Sequence, residues 1–559
     1  MRKRLNPLRL LKFIPRGRTA LRNRLRRRYK DLDTILLTLP ASMPPLPETR
    51  HWLLERVQGA PPISLWEIER IFKRIAADPR PKNVILKING LALSLADLQT
   101  LRGSISRLKV GGKRVIVFAQ GYDLAQYYVA SAADEIWLQP SGDLMTMGLR
   151  TEAIFLKDAL DVIGVELDVI AITPYKSAYD QFSRAEISPE GQAQIDWLMD
   201  SRYGMIVREI AAGRGISEDA VRAMIDTSPH VEESALAAGY VDAVINEEGF
   251  AARLKTKKLL LWKDADKRLL IRRNPPGDKH IALLKISGLM LPGESGSPPI
   301  DLPIPFVGGE RAGDVTVVRQ VRALMQDESI AAVVLFIDSG GGAVIAAEAM
   351  TSALETLAKK RPLVVFMNSV AASGGYYVAT PAHWIVAQPG TITGSIGVIS
   401  AKPVTGGLRD KLHVSTVEFT RGANADMLSD TKPFSEAQRA QMRTVVESLY
   451  GQFVRRVASS RHMSFEAVDA VSGGRVWTGE QALEHGLVDQ LGDLQAALAK
   501  ARELGKLPAD APVAIFEGKG KSLPPAAALD PAASLRYALD NARALVNGSA
   551  QAIMPVWWR

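Results

Sequence analysis

The chain repeats itself at a nearly constant spacing, and a duplicated segment restricts the fold more than any other feature does. The run VILKI at 84–88 returns as VVLFI at 333–337, a shift of 249 residues. RVIVF at 114–118 returns as LVVFM at 363–367, and YYVA at 127–130 as YYVA at 376–379, both at the same shift. Further on, ALAAGYVDAV at 235–244 matches ALEHGLVDQL at 482–491, at a shift of 247. Collinear matches with one small slip identify two copies of one domain, spanning 63–262 and 280–505 and joined by a charged connection at 263–279.

Each copy alternates short β-branched runs with helical stretches. Val84–Ile88, Val115–Phe118, Leu167–Ile172, Ile281–Ile286, Val333–Ile337 and Leu363–Met367 read as buried strands. Leu65–Ala77, Ala343–Lys359 and Glu436–Ser459 read as helices. Strands alternating with helices predict an α/β fold with largely parallel sheets. A composition of 47% hydrophobic and 23% charged residues fits a globular protein and excludes global disorder. The absence of cysteine excludes disulfides, thiolate metal sites and a cysteine nucleophile.

The two ends differ from this pattern. Residues 1–30 hold thirteen Lys/Arg and no acid, leaving 57 basic and 60 acidic residues, a net of −3, for the rest. Leu5, Leu8, Leu11, Leu21 and Leu25 lie among the arginines, so the arm is partly amphipathic and suited to an anionic membrane surface. A solvated tail is the bland alternative, and nucleic acid the least favoured one. Residues 40–62 are proline-rich and read as a linker, so arm and linker fill 1–62. No apolar stretch approaches the ~18 residues of a membrane-spanning helix. No secretory h-region follows the basic start either. Residues 506–559 form a tail ending Trp557-Trp558-Arg559, suited to a lipid interface or to packing on the protein.

Duplication makes each copy a control for the other. Ser373, in Ala371-Ala372-Ser373-Gly374-Gly375, falls opposite Leu124. A serine followed by two glycines, between a strand and a helix, can expose its hydroxyl, and N–H groups at the helix start can stabilise an oxyanion. A helix N-cap serine has the same local signature. Lys176, in Tyr175-Lys176-Ser177-Ala178, falls opposite Ala423. One copy thus keeps a candidate nucleophile and the other a candidate base, although a loop lysine alone is usually a solvated charge. The run Asp338-Ser339-Gly340-Gly341-Gly342 lets backbone approach a substrate, or simply makes a tight turn. Ser395, opposite Thr146, can tether a lysine or serve as a turn serine. His383 reads as structural rather than as a triad base, and the histidines show no metal spacing.

Taken together, YKSA at 175–178, AASGGYY at 371–377, TGSIGV at 393–398 and VWTGEQALEHGLVDQLG at 476–492 resemble signal peptide peptidase A, also called protease IV. The match is to the long bacterial form with two tandem copies. The resemblance implies two tandem Clp/crotonase-like α/β domains and a serine protease with a Ser/Lys dyad. It makes Ser373 the nucleophile, Lys176 the general base and Ser395 the hydrogen-bond partner of the lysine. It assigns the oxyanion hole to the N–H groups of Gly341 and Gly374. It further implies no metal or cofactor, a homo-oligomer such as a tetramer, and cleaved signal peptides or other apolar peptides as substrates at the bacterial inner membrane. The chain departs from the family at Gly340, where proline is usual, and at Ala343, where serine is usual. The basic arm stands where the long form commonly has a membrane-spanning helix.

Free lysine has a pKa near 10.4, so a lysine base working near pH 7–8 needs a shift of roughly 3 units, about 4 kcal/mol. Burial between two packed domains can supply it. Three rivals compete with the dyad. A Clp-type Ser/His/Asp site is expected to place a histidine after the serine, yet residues 394–402 contain none. A crotonase-like acyl-CoA enzyme needs neither Ser373 nor Lys176. An inactive scaffold binding membrane partners would show assembly without hydrolysis.

Overall fold

A computed structural model describes residues 14–29, 31–48, 55–56, 59–271, 279–298, 308–516, 531–547 and 550–554. The described residues form two compact units, one drawn from 1–149 and 203–276, the other from 150–202 and 277–559.

The first unit is built on a six-stranded sheet in the order Leu259–Leu261, Thr34–Leu39, Asn83–Ile88, Arg114–Ala119, Glu135–Leu138, Ala243–Val244. Every pair is parallel. Its strands are near-continuous apolar runs because both faces are covered. The helix Leu65–Ala76 starts at a capping box made by Ser64 and Glu67, and its Ile68, Ile71, Phe72 and Ile75 enter the core. The helix Leu95–Val110 starts at the Ser94 cap and buries Leu98, Leu101 and Ile105.

The second unit repeats that order. Val513–Phe516, His280–Ser287, Ile330–Ser339 and Leu363–Ala372 are successive neighbours, Trp384–Ala387 pairs with Leu363–Ala372, and Gln490–Leu491 pairs with Trp384–Ala387, all parallel. Leu363–Ala372 also pairs with Ile392–Gly394, which meets Val476–Thr478 antiparallel. A second sheet runs Arg311–Gly313, Leu289–Leu291, Gly341–Ala343, Gln551–Ile553, Ile399–Val404, Glu166–Ala171. The expected α/β class with tandem copies therefore holds.

Three sequence expectations are corrected. First, Thr34–Leu39, inside the span read as arm and linker, is an inner strand that takes the place His280–Ser287 takes in the second sheet. Second, the run read as a buried strand at Leu167–Ile172 is an edge strand, Glu166–Ala171, with only Ile170 buried. It pairs antiparallel with Ile399–Val404, and so belongs to the second unit. Third, the stretch read as a tail supplies two strands and the helix Pro531–Asn547.

Of the basic arm, the helix Ile14–Arg26 is described, while Leu5, Leu8 and Leu11 lie outside the described residues. Leu21 and Leu25 are exposed, and Asn23 donates to the Ile271 carbonyl at 3.0 Å. Among the described residues no helix is long and apolar enough to cross a membrane.

Candidate active site

Two adjacent strands set the position of Ser373. Leu363–Ala372 runs in register with Ile330–Ser339 until Ile337 faces Met367; the next pair is Ser339 with Ala371, so Leu363–Ala372 bulges. Asp338 holds the bulge, accepting from the Val370 N–H at 3.1 Å and from Asn368 Nδ2 at 3.3 Å. The strand ends at Ser373, which adopts φ 56°, ψ −116° before the short helix Gly374–Tyr377. That backbone costs a non-glycine residue about 1–3 kcal/mol and is characteristic of strained functional turns. Gly375 can only be glycine here, because a Cβ would lie 2.4 Å from the Ser339 carbonyl oxygen.

Ser373 makes no side-chain cap bond to its helix, so the N-cap reading does not hold. In the first unit the corresponding helix, Leu124–Ala130, is capped by Asp123 through Gln126. The Ser373 hydroxyl faces the lysine instead: Lys176 Nζ lies 2.7 Å from Ser373 Oγ. The same nitrogen lies 2.8 Å from the Ser395 carbonyl oxygen and 3.0 Å from Ser395 Oγ. Lys176, Ser373 and Ser395 are all fully buried, and burial holds the Lys176 amine well below its ordinary range, with no carboxylate among the described residues to offset it. A neutral amine has two N–H donors and one lone pair. Donation to the two Ser395 oxygens leaves the lone pair for the Ser373 O–H.

Lys176 sits in a loop between Glu166–Ala171 and the short helix Asp180–Ser183. Although it lies within the first copy in sequence, this loop belongs to the second unit, the one that carries Ser373. It is pinned by residues whose role the sequence did not disclose. A Cβ at Gly474, whose φ is +97°, would lie 2.6 Å from Lys176 Cα. Thr173 donates to the Gly473 carbonyl. Gln194, buried on the helix Pro189–Arg214, donates to the Tyr175 carbonyl at 3.1 Å and accepts from the Val476 N–H at 3.0 Å. Trp197 stacks on Trp477 with ring centroids 5.1 Å apart, and the Arg475 guanidinium lies 4.0 Å from the Tyr175 ring. The visible signal was the glycine pair at 473–474 just before VWTGEQ.

The two oxyanion candidates differ. Gly374 opens the helix after Ser373, where first-turn N–H groups have no intrahelical partner. Gly341 lies on the strand Gly341–Ala343, and its N–H donates to Ser339 Oγ at 3.1 Å. His383 stands apart from the serine; its Nδ1 accepts from the Leu363 N–H at 3.1 Å.

The chain is similar to known proteins over most of its length. The sequence profile described as Peptidase family S49 matches twice, at 107–260 and 355–508. Protease 4 of Haemophilus influenzae is 30% identical over 466 residues, covering 79% of this chain and 73% of that protein. Protease 4 of Salmonella typhi is 30% identical over 461 residues, with 79% and 72% covered. A chloroplastic serine protease SPPA of Arabidopsis thaliana is 28% identical over 467 residues, with 81% and 68% covered.

Proposed function

The chain belongs to peptidase family S49 and is a serine protease, and we propose that Ser373 is its nucleophile and Lys176 its general base. One observation carries the assignment: a buried amine, with no carboxylate partner among the described residues, lies 2.7 Å from the hydroxyl of a serine on a strained turn. Lys176 takes the Ser373 proton as Oγ attacks the peptide carbonyl. The oxyanion of the tetrahedral intermediate is stabilised by the Gly374 N–H, and by that of Gly341 once it turns from Ser339 Oγ. The Lys176 ammonium then gives its proton to the leaving amine. In the second half, the neutral amine takes a proton from water, which attacks the acyl-enzyme, and the Lys176 ammonium returns that proton to Ser373 Oγ as the acid leaves. Ser395 orients the amine throughout with its carbonyl and hydroxyl oxygens.

In this reading the substrates are extended apolar peptides such as cleaved signal peptides. The arginine-rich helix Ile14–Arg26, with Leu21 and Leu25 exposed, holds the enzyme at an anionic membrane surface without crossing it. Leu412, Val414, Val417 and Phe419 are exposed in the single chain, which fits burial against further copies in a homo-oligomer such as a tetramer.

The test is hydrolysis of a fluorogenic peptide with small apolar residues by wild type, Ser373→Ala and Lys176→Ala. Each variant is expected to lose turnover while keeping the wild-type circular dichroism spectrum. Mixing the two is expected to restore nothing, because both side chains come from one chain. Turnover by either variant alone overturns the dyad, and recovery on mixing places the working pair across chains.

A further inference from the structure

In the first unit three short strands, Tyr122–Asp123, Asp143–Met145 and His230–Val231, repeat pair for pair the ribbon that flanks Ser373 in the second. Tyr122 faces Leu144 and Asp123 faces Met145, as Ala371 faces Thr393 and Ala372 faces Gly394. Asp143 faces Val231 and Leu144 faces His230, as Ile392 faces Thr478 and Thr393 faces Trp477. The same scaffold therefore stands where Leu124 replaces the nucleophile.

The side chains on the two ribbons differ in kind. In the second unit Val370, Ala372, Ile392 and Val476 share one apolar cluster. Their counterparts in the first unit are Gly121, Asp123, Asp143 and Pro229. A Cβ on Gly121 would lie 3.0 Å from Asp143 Oδ1, so the glycine leaves room for that carboxylate. Asp123 is exposed and Asp143 half-buried, and Asp123 Oδ1 accepts from the Gln126 N–H at 2.7 Å. Beside them the alternate residues Met145, Met147 and Leu149 are exposed, as is Val231. Thr146 stands in the place of Ser395, whose Oγ lies 3.0 Å from Lys176 Nζ. Thr146 is fully buried, and its Oγ1 has no hydrogen-bond partner among the described residues.

A buried hydroxyl left unmatched is costly, and two carboxylates beside an apolar stripe match a cation carried on an apolar stem. Lysine and arginine side chains have that form. We propose that this ribbon is a second peptide site, which holds an extended apolar segment by a Lys or Arg side chain and does not cut it. The cation pairs with Asp123 and Asp143, neighbouring apolar side chains cover Met145 and Met147, and Thr146 Oγ1 accepts a hydrogen bond from the bound segment. Leu124 offers no hydroxyl, so no bond of that segment breaks. The inference rests on the peptidase reading above and adds a feature of the substrates. Cleaved signal peptides carry a positively charged end ahead of their apolar stretch, and this site recognises that charge.

The test uses the full chain with Ser373→Ala, which leaves peptide intact. A fluorescein-labelled leucine–alanine peptide with lysines at one end is titrated by fluorescence anisotropy, against the same peptide with norleucine for lysine. Asp123→Asn combined with Asp143→Asn weakens binding of the lysine peptide about tenfold and leaves the norleucine peptide within about twofold. Asparagine preserves the helix cap at 123. Met147→Lys, at an exposed position, weakens the lysine peptide in the same direction and serves if the double variant does not fold. Folded variants that bind both peptides as the Ser373→Ala chain does overturn the proposal, and so does equal weakening of the two peptides. Cleavage of the norleucine peptide by the wild type then leaves the protease reading standing. A wild type that cleaves neither peptide, with a Ser373→Ala chain that binds neither, overturns both.

Discussion

Lys176→Met isolates the amine. Methionine keeps the unbranched chain and its packing and removes only the ionisable group. The folded site surrounds Nζ with the oxygens of Ser373 and Ser395 and, among the described residues, no carboxylate, and burial lowers its pKa well below the ordinary value. At a pH between the folded pKa and the unfolded value of about 10.4, the unfolded lysine carries one proton and the folded one carries none. Stability then rises with pH by 2.303RT per unit, about 1.4 kcal/mol. The cost of burying the amine is absent above the unfolded pKa, grows as pH falls, and levels off below the folded pKa. Lys176→Met lacks this contribution, while all other titrating groups are common to both proteins. Leaving the Ser395 carbonyl without its donor costs the variant about 1–3 kcal/mol, but that offset does not vary with pH. The stability difference between variant and wild type, from denaturant curves at successive pH values between about pH 8 and pH 10, should therefore shift toward wild type by about 1.4 kcal/mol per unit. The same variant should lose at least 10²–10⁴-fold in kcat/KM, the usual worth of a general base, or about 3–5 kcal/mol of transition-state stabilisation. Stability curves that stay parallel across that range would mean the folded lysine keeps its proton, and an ammonium cannot accept one from Ser373.

Two further substitutions probe how the lysine is held. Ser395→Ala removes one acceptor but leaves the carbonyl, so kcat/KM should fall roughly tenfold. A hydroxyl binds an ammonium more strongly than an amine, so its loss lowers the lysine pKa and moves the rising limb of the pH–activity profile to lower pH; an unmoved limb would remove Ser395 from this role. Gly474→Ala forces a Cβ to 2.6 Å from Lys176 Cα at φ +97°. It should cost roughly 1–3 kcal/mol and lower kcat by more than tenfold with KM little changed, and wild-type turnover would show that the loop tolerates displacement.

The sequence by itself determined the duplication and the α/β class, and it singled out the pair proposed to react. Contiguous β-branched runs such as Val84–Ile88 and Val333–Ile337 are legible because strands covered on both faces need apolar residues at every position. Ser373 and Lys176 stood out because the other copy has Leu124 and Ala423 in their places, a contrast that uses no geometry. Tertiary structure decided the rest. Thr34–Leu39 is an inner strand whose neighbours, a basic arm and a proline-rich stretch, disguise it. Glu166–Ala171 leaves its own copy to pair with Ile399–Val404 and carries Lys176 into the unit that holds Ser373. Gly474 yields space to the lysine backbone, and three residues of the supposed tail complete a sheet beside the nucleophile. Local pattern reports which face of an element is apolar. It cannot report which edge a two- or three-residue strand will meet, because that partner is supplied by chain hundreds of residues away.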